Sequence, residues 1–434
     1  MLRILVIMLI GLVSQSALGQ AFVEVDHVDL KTIDPAATQG GLGTSVAMAG
    51  NRRVLVAAPF QNDDSDPGSQ DGSVYSFRIL ADGSLDLEQI LAPSERYQFG
   101  ISLAADGDWA AISQSGDKVQ LYRTSTGQWV FSQQLRINPD VPPTAGITVR
   151  SLSSSSAMDG NLLAIGDTTA NVVVGGITIS NAGAVILFRR AGNNSWNHEA
   201  TLIAPDPVSS SDFGEVLALS GNTLLIGASN DAAPGGGQGG AYIFERQGSN
   251  WAHVRTLRNP DVGESSAFGW SVALDGDIAV VGCPTCFTVQ GGPTNTGSFF
   301  SFERHLGGAN NWGLRGEFMG SQPAFIDEFS ASLFLRGQAL LVGSPRANYA
   351  TFFLRNATGG WTETQILPAG DPDNTSFGRS VAFDGGAAII GASRWPNTSF
   401  SERWGAVSAW FSPLVERCGG QLDAIYCDRF EAPE

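Results

Sequence analysis

A short pattern recurs down this chain with a period of about 56 residues, and self-similarity on that scale marks an array of stacked supersecondary units. The units start at Leu42-Gly43, Phe99-Gly100, Phe213-Gly214, Phe268-Gly269, Phe329-Ser330 and Phe377-Gly378, with a degenerate copy expected near Arg150-Ser151. Each start leads into a short alternating run such as Ser271-Val272-Ala273-Leu274. A turn glycine follows: Gly50, Gly107, Gly160, Gly221, Gly276, Gly337 and Gly385. Aspartate precedes it at Asp106, Asp159, Asp275 and Asp384. Asp-Gly between apolar segments signals a tight hairpin, because glycine tolerates positive φ.

Next comes a nearly continuous apolar run ending on small residues, as in Leu224-Leu225-Ile226-Gly227-Ala228-Ser229, which suits a strand buried on both faces. A variable loop rich in Gly, Asn, Asp and Ser leads to a third strand, such as Gly240-Ala241-Tyr242-Ile243-Phe244. The fourth strand begins on a large residue and ends on an apolar one six positions later: Leu85/Leu91, Trp129/Leu135, Trp196/Leu202, Trp251/Leu257, Trp312/Phe318 and Trp361/Leu367. An even spacing predicts that both members face one side of the strand. Four short antiparallel strands per unit make a propeller blade. The expected fold is therefore all-β, a seven-bladed β-propeller of four-stranded antiparallel blades over residues 20–413. The last unit stops at Ala406–Phe411 without a fourth strand. The segment His27–Ile33, followed by Asp34-Pro35, is predicted to supply it from the N-terminal end, closing the ring and removing two open sheet edges.

Composition narrows the function classes. A hydrophobic content of 43% can fill a core, so disorder, collagen and coiled coil are excluded. Lys+Arg number 25 against Asp+Glu 42, a net charge of −17, which leaves no positive excess to displace counterions from nucleic acid. Met1-Leu2-Arg3, the apolar run Ile4–Val13 and the small residues Ala17 and Gly19 read as a secretory signal peptide over 1–19. That run is shorter than the roughly 20 residues a membrane helix needs, and no later run is longer. A secreted, periplasmic or cell-surface protein without a membrane span, acting as a monomer, is expected. Export permits disulfides. The four cysteines, Cys283, Cys286, Cys418 and Cys427, allow three pairings, of which local pairing within each couple is preferred. The scattered His27, His198, His253 and His305 offer no metal-binding spacing, and His198 and His253 each fall two residues after a fourth-strand Trp.

The Phe-Gly start, the small-residue stop (Ala57-Ala58-Pro59, Gly227-Ala228-Ser229, Gly343-Ser344-Pro345, Gly391-Ala392-Ser393) and the Gly-Ala-x-x-x-Phe third strand resemble FG-GAP repeats, the blades of integrin α-chain heads and of many bacterial exported proteins. The resemblance covers roughly residues 21–411. It implies a propeller whose loop face binds a ligand. Many such blades carry a calcium loop between their first two strands. Here the equivalent turns, such as Leu274-Asp275-Gly276-Asp277-Ile278, offer at most two carboxylates, short of the six to eight oxygens calcium takes. No cofactor is therefore expected, and the one acidic cluster that could take a cation such as calcium is Asp63, Asp64, Asp66 and Asp71.

Gly-x-Ser recurs at Gly43-Thr44-Ser45, Gly269-Trp270-Ser271 and Gly378-Arg379-Ser380, superficially like a nucleophile elbow. Its recurrence at one repeat position and the lack of a following helix point to strand building, and no catalytic residue is assigned. The longer loops carry Asp206, Asp212, Asp261, Glu264, Asp327, Asp371 and Asp373, and should gather on one face. The tail, residues 414–434, is similar to the Asp-x-Ile-Phe-x-Asp-Gly-Phe-Glu endings of some Gram-negative exported proteins, with Arg429 in place of the glycine. The functional expectation is an exported binding or adhesion module presenting an acidic loop face to a protein or glycan. The alternatives are a secreted polysaccharide hydrolase or lyase with carboxylates at the channel mouth, and a structural surface protein.

Overall fold

The structure, a computed structural model, describes residues 22–35, 37, 40–62, 70–93, 97–232, 239–260, 266–286, 295–322, 327–370, 376–384, 386–393 and 404–412. The expected signal peptide and the tail with Cys418 and Cys427 lie outside the described residues.

The fold is all-β, and the described residues form antiparallel sheets, seven of four strands and one of three. In strand order, the first sheet holds Val46–Ala49, Arg53–Ala58, Ser73–Ile79 and Leu85–Leu91. The second holds Leu103–Asp106, Trp109–Gln114, Lys118–Ser125 and Gln128–Arg136. Ser155–Asp159, Leu162–Asp167, Ala184–Arg190 and Trp196–Leu202 make the third. The fourth consists of Leu217–Ser220, Thr223–Ala228, Gly240–Gln247 and Asn250–Leu257, and the fifth of Ser271–Asp275, Ile278–Cys283, Ser298–Glu303 and Gly313–Phe318. Ser332–Arg336, Ala339–Ser344, Tyr349–Arg355 and Trp361–Pro368 form the sixth. The seventh combines Phe377–Asp384, Ala387–Ala392 and Ala406–Phe411 with Val23–Asp29 from the other end of the chain.

The three-stranded sheet is a departure from the sequence reading. The stretch 168–182, which occupies the place of a variable loop before the third strand, forms a hairpin of Asn171–Val174 and Ile177–Ile179 around Gly175-Gly176, and Ile147–Thr148 pairs with it. Its β-branched residues, Val172 to Val174 and Ile177 to Ile179, favour strand over loop. The degenerate start expected at Arg150-Ser151 falls at Leu152-Ser153. Leu152 is fully buried like Phe99, Phe213 and Phe268, and lies the same eight residues before its turn glycine.

The N-terminal strand is also displaced from its expected span. It covers Val23–Asp29, not His27–Ile33, and Leu30–Ile33 is one helical turn. Asp29 stops the strand: its carboxylate accepts hydrogen bonds from the Thr32 amide at 2.8 Å and the Thr32 hydroxyl at 2.6 Å, an N-cap arrangement.

A recurrent bulge corrects the reading of the fourth strands. Every pairing of a third with a fourth strand skips one residue of the latter, as where Leu187 faces Ala200 but Phe188 faces His198. One inserted residue reverses the alternation beyond it. The Trp and the Leu six positions later therefore face opposite sides. Trp196 packs with Trp109 and Leu121 of the second sheet, whereas Leu202 packs with Leu224 and Tyr242 of the fourth. Trp361 and Leu367 divide in the same way between the clusters on either side of the sixth sheet.

Among the described residues seven apolar clusters form the core, each between neighbouring sheets. The clusters either side of the seventh sheet include the N-terminal strand: Phe22 meets Phe352 and Phe383, while Val28 joins Val54, Tyr75, Ile389 and Val407. The first strands of consecutive sheets touch in turn, and that of the seventh touches that of the first. Glycine makes this approach feasible. A Cβ on Gly227 would overlap the Gly269 carbonyl of the next sheet, one on Gly343 that of Gly378, and one on Gly391 that of Gly43.

Bulge residues also position charge. Glu199, the residue skipped in its pairing, takes hydrogen bonds from Arg189 of its own sheet and from Arg246 Nε and Trp251 Nε1 of the next, the latter two at 2.8 Å. Desolvation alone would raise its pKa, but the bonds from Arg189, Trp251 and Arg246 outweigh that and hold it at about 2. Its folded pKa is thus below the unfolded value, so the stabilisation is present above roughly pH 4.5 and disappears as pH falls toward 2. Thermal melts from pH 7 to pH 2.5 should show a steeper acid loss in the wild type than in Glu199→Gln. Parallel curves would remove Glu199 from the acid response.

Candidate functional site

The starts of the first strands from all seven four-stranded sheets converge on one open cavity of about 420 Å³. The repeat geometry explains its lining. The starting Phe or Leu is buried in the core, and the next residue is glycine at five of the seven starts, with positive φ at Gly43, Gly100, Gly214, Gly269 and Gly378. The following residue faces the cavity: Thr44, Ile101, Ser154, Glu215, Trp270, Ala331 and Arg379 in successive sheets. The framework on either side is nearly constant, whereas this position differs in every unit.

The residue after it is serine in six units, and the structure gives that serine a structural task. Ser155 Oγ donates to the Gly214 carbonyl at 2.7 Å, Ser271 to Ser330 at 2.6 Å, Ser332 to Gly378 at 2.8 Å and Ser380 to Gly43 at 2.8 Å. Each bond crosses to the next sheet, and the last joins the seventh to the first. Two of the three elbow-like serines, Ser271 and Ser380, are thus inter-sheet ties.

The turn aspartates, at the opposite ends of the first strands, act likewise. Asp106 accepts from the Gly160 amide at 2.8 Å, Asp275 from Gly337 at 2.6 Å, and Asp159 from Gly221. Asp384 pairs with Arg336 at 2.6 Å. A single carboxylate per turn directed at the neighbouring sheet is a clamp. Sequence showed the turns but not this lateral use.

Two of the cavity's charged groups lie three units apart in the repeat order, Glu215 and Arg379. Glu215 is half-buried and accepts a hydrogen bond from the Ser229 hydroxyl. Burial raises its pKa, the Ser229 bond opposes this, Asp212 adds to the rise and Arg379 counters it. Trp270 is 37% exposed, unusual for so large an apolar group in this molecule. Neither Glu215 nor Arg379 was singled out from sequence. The available signal was the variable position inside an otherwise regular Phe-Gly-x-Ser.

A second cleft, about 590 Å³, lies on the turn side between the fifth and sixth sheets and includes Glu303, Arg304 and Arg355. Its charges are paired within the protein: Glu303 binds Arg315 of its own sheet at 2.7 Å and Arg355 of the sixth, and Arg304 binds Glu245 of the fourth sheet and Asp277 of its own unit, each at 2.6 Å.

Of the acidic cluster considered for a cation, Asp63, Asp64 and Asp66 lie outside the described residues. The Asp71 carbonyl accepts from the Phe99 amide at 2.9 Å, tying the first sheet to the second. Among the described residues no group of three or more His, Cys, Asp or Glu side chains converges. Of the acidic loop residues, Asp206, Asp212 and Asp327 are described, while Asp261, Glu264, Asp371 and Asp373 are not. Cys283 and Cys286 form a disulfide across a tight turn, with Cα atoms 5.4 Å apart and both residues buried. His198 and His253 bond Thr201 and Thr256 at 2.9 and 3.0 Å, and burial lowers the pKa of both. No helix among the described residues is long and apolar enough to cross a membrane.

The repeated strands, seams and ties define a propeller-like repeat protein. The FG-GAP repeat family model matches residues 196–244 and 251–302, so this part of the chain is similar to FG-GAP repeats. Each match begins in a fourth strand and ends in a third, so that a sequence repeat straddles two sheets. No curated protein matches the chain significantly.

Proposed function

We propose that residues 20–413 form one closed propeller, with the seven four-stranded sheets as its blades and the N-terminal strand completing the last. The molecule then acts as an exported binding module. The seam supports closure, because it repeats the contacts of the other junctions: the Ser380–Gly43 tie, the Gly391–Gly43 approach, and a bond from the Leu42 amide to the Trp404 carbonyl at 2.8 Å. The repeat register agrees, since a chain of 4-1-2-3 units begins with a fourth strand and ends with a third.

The observation that carries the binding reading is the cavity itself. Seven constant strand starts hold seven different side chains around one opening, the arrangement by which a rigid scaffold presents a recognition surface. The loops expected to be acidic follow the second and fourth strands, and these strands end beside the cavity. This supports a protein or glycan partner on that face. The test is retention of partners on the immobilised mature chain, compared with a variant carrying Ala at Glu215, Trp270 and Arg379. Partners captured by the wild type and lost by the variant support the reading. Equal capture by both, or capture by neither, overturns it.

A further inference from the structure

The hydrogen-bond direction around the cavity restricts what can bind there. A hydroxyl has one proton and two lone pairs. In Ser155, Ser271, Ser332 and Ser380 that proton goes to a carbonyl of the next sheet, and in Thr44 to the Gly41 carbonyl at 2.6 Å. These five hydroxyls therefore have lone pairs, not protons, to offer a ligand, whereas Ser102 and Ser156 bond each other at 2.7 Å and leave one proton of the pair outside that bond. Glu215 adds carboxylate acceptors beside them. Arg379, exposed at the rim, supplies a fork of donors at one side only. Between the two in repeat order stands Trp270, with a large apolar face partly open to solvent.

A matching ligand must bring many donors on a compact body that also has a flat apolar face. Phosphorylated or polycarboxylate ligands bring acceptors to an acceptor-rich rim on a chain of net charge −17, an unfavourable pairing. A peptide backbone brings one donor per residue. A sugar ring brings a hydroxyl on most of its carbons and a C–H face that lies against an aromatic plane. The cavity, at about 420 Å³, has room for a small saccharide.

We infer that the cavity binds a neutral or amino-bearing saccharide, with its C–H face on Trp270, hydroxyl or ammonium donors on Glu215 and the strand-start hydroxyls, and a ring or glycosidic oxygen on Arg379. This rests on the reading that the cavity face is the binding face, and it narrows the ligand to one class. The amino-bearing form gains from Glu215 whenever that carboxyl is ionised.

The experiment is calorimetric titration of the mature chain with cellobiose, chitobiose, digalacturonate and triglycine, with tryptophan fluorescence recorded alongside. Cellobiose or chitobiose should bind and shift the fluorescence. Trp270→Ala and Glu215→Gln should each weaken binding by about tenfold, equivalent to about 1.4 kcal/mol, while leaving the melting temperature unchanged. Undiminished saccharide binding by Trp270→Ala overturns the assignment, as does preference for digalacturonate or triglycine. If neither cellobiose nor chitobiose binds but the wild-type chain still captures a partner that the triple variant loses, the saccharide assignment fails and the binding-module reading stands. If nothing binds in either experiment, both fail.

Discussion

Removal of residues 20–35 should abolish cooperative folding of the whole molecule, not just fray one sheet. The strand Val23–Asp29 pairs along the length of Ala406–Phe411, and its loss exposes that edge to pairing with other chains. Phe22, Val28 and Leu30 are nearly fully buried and reach into two clusters, so both contacts of the seventh sheet are weakened together. Three such side chains at about 1.5–3 kcal/mol each amount to a large part of the roughly 5–15 kcal/mol by which a domain is ordinarily stable. The truncated chain should elute as aggregate and show no sharp melting transition, and a synthetic peptide of residues 20–35 should restore part of it. A monomer with the wild-type melting temperature would disprove the closing role of this strand.

Gly391→Ala is expected to destabilise the protein as much as Gly343→Ala, by about 1–3 kcal/mol for overpacking a close backbone approach. In the first a new methyl meets the Gly43 carbonyl across the seam between the chain's two ends. In the second it meets Gly378 at an ordinary junction. Gly192→Ala, with nothing within 4 Å of the added carbon, serves as the neutral reference. Urea unfolding of the three variants gives the comparison. A seam held as tightly as the other junctions makes the first two alike; an open seam would make Gly391→Ala resemble Gly192→Ala.

Much of the fold was legible because each unit repeats the same local rules. Turn glycines, doubly buried second strands such as Leu224–Gly227, and small-residue stops all recur in register, so a weak signal in one copy is corrected by the others. The errors arose where one local event reset the pattern. A bulge near Glu199 reversed the alternation that would have placed Trp196 and Leu202 on one face. The Asp29 cap ended the N-terminal strand four residues before its expected limit. The stretch around Gly175-Gly176 was read as one of the variable loops because it occupies their place in the repeat, and it folded as a hairpin.

The site was far less legible. Its residues, Glu215, Trp270 and Arg379, come from three different sheets, and no spacing in the chain connects them. The acidic residues that drew notice in sequence divide between turn clamps such as Asp275 and loop positions such as Asp212. Only the neighbouring sheet distinguishes the two uses.

By itself the sequence determined the repeating four-strand unit and its all-β character, since these depend on glycine tolerance, strand burial and turn chemistry acting within a few residues. Only the tertiary structure decided how the units join: which carboxylates became clamps, which serines became ties, and which side chains line the central cavity. The reason is that every one of these contacts lies between sheets. A sheet's partner across a seam is one repeat away in most junctions and almost the whole chain away in the last, a distance that no local pattern encodes.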